Sequence, residues 1–282
     1  MSSGQLPPVT RGAIAAPVVE QFLRSSGMTI EQLMLALVAE TQEYALPPIS
    51  NFFVGAVALG SSGSLYFGAN YEFVGQELSS TVHGEQAATA HAIACGETGV
   101  QMLAVSAAPC GYCRQFLYEL TTASTLQILL PNAPPAPLTS LIPNAFGPQD
   151  LGVTAALMSP QSHGMTLTFA LDPVVKAALA AANASYAPYT SGYAGVALKT
   201  GDGSIFTGAV AENAAYNPSM APLEAAVVSL VISGGKSYSD IVDAVLVERA
   251  GSKSSQVAAT RAVLGAISSV TLRAYQADAL RM

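Results

Sequence analysis

Residues 63–72, GSLYFGANYE, return 140 positions later as residues 203–212, GSIFTGAVAE. Gly63, Ser64, Gly68, Ala69 and Glu72 lie over Gly203, Ser204, Gly208, Ala209 and Glu212. Each stretch belongs to a pair of β-rich runs broken by a Gly-containing turn, NFFVGAVALGSSGSLYFGANYEF and GYAGVALKTGDGSIFTGAVAEN, the pattern of a β-hairpin. The likeness continues beyond the hairpins. With one residue dropped, VHGEQAA falls on APLEAAV, so that Glu85 meets Glu224 and His83 meets Pro222, and a helix and strand follow (PLEAAVVSLVISGG, DAVLVE). A chain that repeats one supersecondary unit folds as two related units. All three Cys residues lie in the first copy and none in the second, which makes the first the active copy and the second a degenerate one.

The remaining pattern predicts the fold class. APVVEQFLRSSG reads as a short lead-in helix ended by Gly27, and Thr29 with Gln32 three residues on makes a capping box for IEQLMLALVAETQEYA, which Pro47-Pro48 stops. After the first hairpin, STVHGEQAATAHAIACGETG is an Ala-rich helix closing on Gly96 or Gly99. VQMLAVSAA is a buried strand, Pro109 opens the helix CGYCRQFLYEL, and LQILL is a further strand. Strand, strand, helix, strand, helix, strand implies an α/β/α sandwich with a mixed sheet. PNAPPAPLTSLIPNAFGPQDL is Pro-rich and reads as a linker or irregular wrap before the helix DPVVKAALAAANASYA. The expectation is two related α/β/α domains, a catalytic one over 29–155 and a degenerate one over 156–282, behind a helical segment 1–28.

Composition narrows the partners. Half of the 282 residues are apolar and a tenth charged, as in a core-rich globular protein, yet no apolar run nears the 18 residues of a membrane span. The opening residues lack a basic start followed by an apolar stretch, so a cytoplasmic protein without a membrane partner is expected. A net charge of −7 with scattered Lys and Arg argues against nucleic acid and leaves small neutral substrates open.

His83, Cys110 and Cys113 carry the chemistry. A Cys-x-x-Cys pair serves as a redox couple, as half of a structural zinc site, or in a catalytic zinc site. A redox couple leaves His83 and Glu85 without a role, and a closed structural site needs a fourth ligand that is not evident. His83 begins one helix and the two Cys sit in the first turn of the next, where the positive helix end favours thiolates. His91 and Cys95 lie two to three turns further along and read as a helix-face His and a buried small residue. Three ligands leave a fourth position for water, and Glu85, two residues from His83, is placed to exchange a proton there without binding the metal.

His83-Gly84-Glu85 followed by Pro109-Cys110-Gly111-Tyr112-Cys113 matches the His-x-Glu…Pro-Cys-x-x-Cys signature of zinc deaminases. Through ISNFFVGAVALGSSGSLYFGANYEF, TVHGEQAA, AAPCGYCRQFLYEL, IPNAFGPQDL, ALAAANASYAPY and AENAAYNPSMAPL, most of the chain resembles the two-domain, homodimeric cytidine deaminases. The resemblance implies one Zn2+ per chain, a second domain without a zinc site, a homodimer, and hydrolysis of cytidine and deoxycytidine to uridine and deoxyuridine in pyrimidine salvage. It assigns zinc to His83, Cys110 and Cys113, and proton transfer to Glu85. It assigns ribose hydroxyls to Asn70 and Glu72, the aromatic wall beside the pyrimidine to Phe52, and the base edge to the Gly84 N–H and Ala108 C=O. Short tetrameric relatives carry Cys at the His83 position and Arg at Gln86, so the His/Gln pair keeps the same site charge. Gly84 replaces the Ala usual between His and Glu, and Ala108 stands where relatives often carry Thr.

Overall fold

The computed structural model describes residues 6–278. A two-residue strand, β1 (Ala13–Ile14), leads into α1 (Ala16–Ser26), closed by Gly27 at φ 70°. α2 (Ile30–Thr41) opens on the expected capping box, with the Thr29 hydroxyl accepting from the Gln32 N–H and the Gln32 side chain from the Thr29 N–H. The hairpin β2 (Gly55–Gly60) and β3 (Leu65–Ala69) follows, then α3 (Gly84–Ala94), β4 (Val100–Val105), α4 (Gly111–Leu117) and β5 (Gln127–Leu129). β6 (Ala136–Pro137) and α5 (Leu138–Leu141) precede a long irregular crossing. The second copy runs α6 (Pro173–Asn183), β7 (Ala194–Thr200), β8 (Ile205–Ala209), α7 (Pro222–Val228), β9 (Ile241–Arg249), α8 (Val257–Ile267) and β10 (Arg273–Ala277).

The strands form two mixed sheets, ordered β1-β3-β2-β4-β5-β6 and β10-β9-β7-β8, each with one parallel pair, β4 with β5 and β9 with β10. The repeat holds to the register. Gly55 faces Ala69 and Ala56 faces Gly68, while Gly195 faces Ala209 and Val196 faces Gly208. Both copies break register at the same place, between Leu59 and Gly60 and between Lys199 and Thr200.

Neighbouring residues of a strand point to opposite faces, and the glycines show what covers each. A Cβ at Gly55 would lie 2.5 Å from the Val38 carbonyl of α2; one at Gly68 would lie 2.2 Å from the Ala88 nitrogen of α3. Gly195 and Gly208 meet α6 and α7 in the same way. The repeated glycines therefore let backbone pack on backbone, and helices cover both faces as an α/β/α sandwich requires. From Gly84 to Ala92 α3 is buried all round, because it is pressed between its own sheet and α7, and one hydrophobic core runs through both copies. Small Ala side chains permit that double contact.

Three features differ from the sequence pattern. The lead-in segment contributes β1, which pairs with β3; two residues carry no readable alternation. The Pro-rich stretch holds β6 and α5, with Pro137 tolerated because β6 is an edge strand. Cys95, expected to be buried, is exposed at the C-cap of α3, whereas His91 is fully buried with Nδ1 on the Phe67 carbonyl. Among the described residues no helix is long and apolar enough to cross a membrane.

Candidate active site

Two helix starts build the site. His83 is the N-cap of α3 and Cys110 the N-cap of α4, both with extended backbone that keeps the side chain outside the helix. Cys110 Sγ accepts from the Cys113 N–H at 3.4 Å, one of the first-turn donors a helix leaves without an internal partner. His83 Nδ1 faces Cys110 Sγ at 3.6 Å, and the ligand atoms of His83, Cys110 and Cys113 lie within 4.8 Å of one another. Two sulfurs and one imidazole nitrogen converging on one point suit zinc by chemistry and number, with a position left for a fourth donor.

The charge distribution agrees. Contacts with Cys113 and His83 push the Cys110 thiol down to about 3. The hydrogen bond with Cys110, then burial, push Cys113 up, and the contact with Cys110 raises His83. The cluster thus holds protons that a cation would displace. Glu85, in the first turn of α3, is 4% exposed, and burial lifts its carboxyl above the usual range.

The hairpin end lies beside the cluster. Asn70 is buried, its Oδ1 accepting from the Val54 N–H at 2.9 Å and its Nδ2 donating to the Phe52 carbonyl at 2.8 Å. Those bonds hold the segment that carries Phe52, a residue 58% exposed. Glu72 Oε2 accepts from the Ile49 and Ser50 N–H groups, both at 2.8 Å, and Oε1 from the Ser50 hydroxyl. Ala108 is exposed, and among the described residues neither its carbonyl nor the Gly84 N–H has an intrachain partner. The space that a methyl on Gly84 would need is filled by Val54, whose Cγ1 would lie 2.9 Å from it.

The second copy supplies contacts that sequence reasoning missed. Tyr112, between the two Cys, stacks on the His83 ring at 5.5 Å and donates its hydroxyl to the Asn217 carbonyl. Gln86 accepts from the His83 N–H and donates to the Pro218 carbonyl. Glu119, fully buried just beyond α4, accepts from the Tyr186 and Tyr189 hydroxyls and the Ala214 N–H, all in the second copy. A lone carboxylate inside the apolar run FLYEL was the one available signal for Glu119.

Two family models, both described as the cytidine and deoxycytidylate deaminase zinc-binding region, match residues 28–128 and 138–261. The chain is 48% identical over 251 residues to a cytidine deaminase of Photobacterium profundum, covering 88% of this chain and 84% of that protein. It is 49% identical over 253 residues to one of Aeromonas hydrophila, covering 90% and 85%. The solved structure of a Mycobacterium tuberculosis cytidine deaminase matches 43% of this chain and 99% of its own at 32% identity, with a TM-score of 0.39.

Proposed function

This chain belongs to the cytidine and deoxycytidylate deaminase family, and from that premise we infer that it hydrolyses cytidine and deoxycytidine to uridine and deoxyuridine with release of ammonia. The observation that carries the reading is the convergence of His83, Cys110 and Cys113 with the buried carboxyl of Glu85 in the first turn of the same helix.

His83, Cys110 and Cys113 would hold the zinc ion, which when bound supplies the Lewis acidity that makes water a nucleophile near neutral pH. Glu85 takes a proton from the attacking water and delivers it to N3 of the pyrimidine; it then takes the proton of the new C4 hydroxyl as the C4 carbonyl forms and passes it to the amine that leaves C4. Its raised affinity for a proton suits a group that must both accept and return one. Phe52 flanks the base, and the free Gly84 N–H and Ala108 C=O meet its edge. Asn70 keeps an N–H and a lone pair beyond its two bonds, and the carboxylate of Glu72 retains acceptor capacity beyond its three, enough to take ribose hydroxyls.

Residues 29–155 form the catalytic domain in this reading, 156–282 the degenerate one, and 1–28 a lead-in. The active form is a homodimer. Leu46, Ile49, Phe52, Phe53, Val74 and Leu78 expose apolar surface on adjoining loops of the catalytic copy, which supports a subunit contact there. A stable, fully active monomer in light scattering would remove that part. A cytoplasmic setting, which keeps thiol ligands reduced, fits the site.

The test is the fall in ultraviolet absorbance as cytidine becomes uridine. Cytidine and deoxycytidine should react; cytosine should be far slower, because a site built to bond a sugar hydroxyl rejects a ligand without a sugar, and cytidine 5′-monophosphate and single-stranded DNA far slower, because the Glu72 carboxylate disfavours a phosphate nearby. Equal turnover of cytosine would break the nucleoside assignment while leaving the zinc chemistry standing.

A further inference from the structure

A metal-bound His is ordinarily oriented by a hydrogen bond from its second ring nitrogen to a carbonyl or carboxylate. His83 lacks one. Among the described residues its ring has a single polar contact, Nδ1 with Cys110 Sγ, and no protein acceptor stands at Nε2. Two other contacts fix it. The ring lies nearly flat on Tyr112, with planes 21° apart, and the backbone N–H is held by Gln86 Oε1 at 3.2 Å.

Both holding side chains are tied to two adjacent residues of the other copy. The Tyr112 hydroxyl ends on the Asn217 carbonyl, and Gln86 Nε2 donates to the Pro218 carbonyl at 3.3 Å. The turn that carries them, between β8 and α7, is itself locked: the Asn213 side chain bonds the Gln115 backbone on α4, and the Ala214 N–H bonds Glu119. A tyrosine ring anchored at its far end has little freedom to slide, so the ring stacked on it is held too.

We propose that Tyr112 and Gln86 are positioning residues through which the Asn217–Pro218 turn of the degenerate copy orients the metal ligand His83. The degenerate copy thus acts as an intrachain replacement for the hydrogen bond that His83 lacks. This rests on the zinc site of the proposed function.

The test uses the full-length zinc-loaded protein and the variants Tyr112→Phe, Gln86→Met, Tyr112→Leu and Pro218→Gly. The readouts are the rate of zinc release to excess chelator, the visible ligand-field bands after cobalt substitution, kcat and KM for cytidine, and the melting temperature. Tyr112→Phe keeps the stacked ring and deletes only its anchor. It should accelerate zinc release, shift the cobalt bands and lower kcat with KM unchanged, toward the lower end of the roughly 10–100-fold range seen when outer partners of a metal ligand are removed. Gln86→Met should act in the same direction, and Tyr112→Leu more strongly. Pro218→Gly, which loosens the turn, should reproduce the Tyr112→Phe effect and add little to it in a double variant. A purely structural role would lower the melting temperature and leave the cobalt bands in place. If Tyr112→Phe and Gln86→Met release zinc at the wild-type rate with unshifted bands, the proposal is overturned, whether or not Tyr112→Leu folds. If the wild type binds zinc but leaves cytidine untouched, the substrate reading fails, while zinc release and the cobalt bands still decide the positioning claim.

Discussion

Glu72 and Glu212 occupy the same place in the two copies and make the same bonds. Glu72 gathers the Ile49 and Ser50 N–H groups and the Ser50 hydroxyl; Glu212 gathers the Tyr189 and Thr190 N–H groups and the Thr190 hydroxyl. Asn51 and Ser191, next along each loop, share a positive φ of 53° and 54°. What surrounds the loops differs. In the first copy Leu46, Ile49 and Phe52 are exposed, whereas in the second Tyr186 and Tyr189 turn inward onto Glu119. The glutamate clamp is present in the copy that carries no Cys as well, so the clamp is architecture first and any ribose contact by Glu72 is built on it. Asn70 is different, because Val210 at its place makes no side-chain bond; the amide belongs to the first copy alone.

The largest separation between the copies should come from their other shared carboxylates. Glu85→Gln should keep zinc and fold yet lose deamination by at least the roughly 10²–10⁴-fold supplied by a general acid–base group. Glu224→Gln should leave turnover near wild type, since Pro222 stands in place of a ligand and no Cys follows. Elemental analysis should find one zinc per chain in both. A comparable loss from Glu224→Gln would show that the second copy retains catalytic work.

Stability against pH sharpens the same pair. Glu224 is buried at the start of α7 and accepts, among the described residues, from the Ala221 N–H alone, and burial pushes its carboxyl up to about 8. The folded state therefore keeps a proton that the unfolded chain loses near the ordinary carboxylate range. Since the unfolded state binds fewer protons there, stability falls as pH rises from about 4.5 toward 8, and levels off above, at about 1.4 kcal/mol for each unit of raised pKa. Glu224→Gln carries no such proton. Its melting temperature relative to wild type should climb between pH 5 and pH 8, and a constant difference would mean that Glu224 is ionised in the fold.

The clamps come next. Glu212→Ala strands two loop N–H groups and should cost roughly 1–3 kcal/mol in urea unfolding while cytidine kinetics stay near wild type. Glu72→Ala should cost a similar amount and also lower kcat/KM. Equal kinetic behaviour of the two variants would deny Glu72 any part in substrate binding.

The readable and unreadable parts of the chain divide along similar lines. The hairpins, their glycines and the His83, Cys110 and Cys113 cluster were legible because their requirements are local: turn chemistry, backbone approach and helix starts. β1 was not, since two residues take strand conformation only because the edge of β3 is open to them. β6 hid inside a Pro-rich run for a related reason, pairing only at the sheet edge. The interlock of Tyr112, Gln86 and Glu119 with the second copy was invisible because their partners stand 105, 132 and up to 95 positions away and are mostly backbone groups or tyrosine hydroxyls, which carry no pattern.

The smallest effect tests whether the copies solved one packing problem in opposite ways. Val54 and Ala194 occupy the same position ahead of the hairpin, each accepting at its carbonyl from the residue at the far end, Asn70 and Val210. Gly84, in the first turn of α3, stands against Val54, and Leu223 holds the equivalent position in the first turn of α7. The first copy sets Val54 against a glycine, whereas the equivalent positions of the second copy hold Ala194 and Leu223, small where the first is large and large where it is small. A methyl at Gly84 would lie 2.9 Å from Val54 Cγ1, the end of a stiff β-branched side chain that must turn or shift to admit it. Gly84→Ala alone should be near neutral or destabilising by about 1–2 kcal/mol, overpacking offsetting the backbone entropy saved by replacing Gly. Val54→Ala alone leaves a cavity. Together they should recover part of both losses, giving a favourable coupling above the roughly 0.3–0.5 kcal/mol expected of independent sites in a double-mutant cycle. Additive losses would mean that Val54 does not limit what residue 84 can be, and that the glycine beside His83 has some other cause.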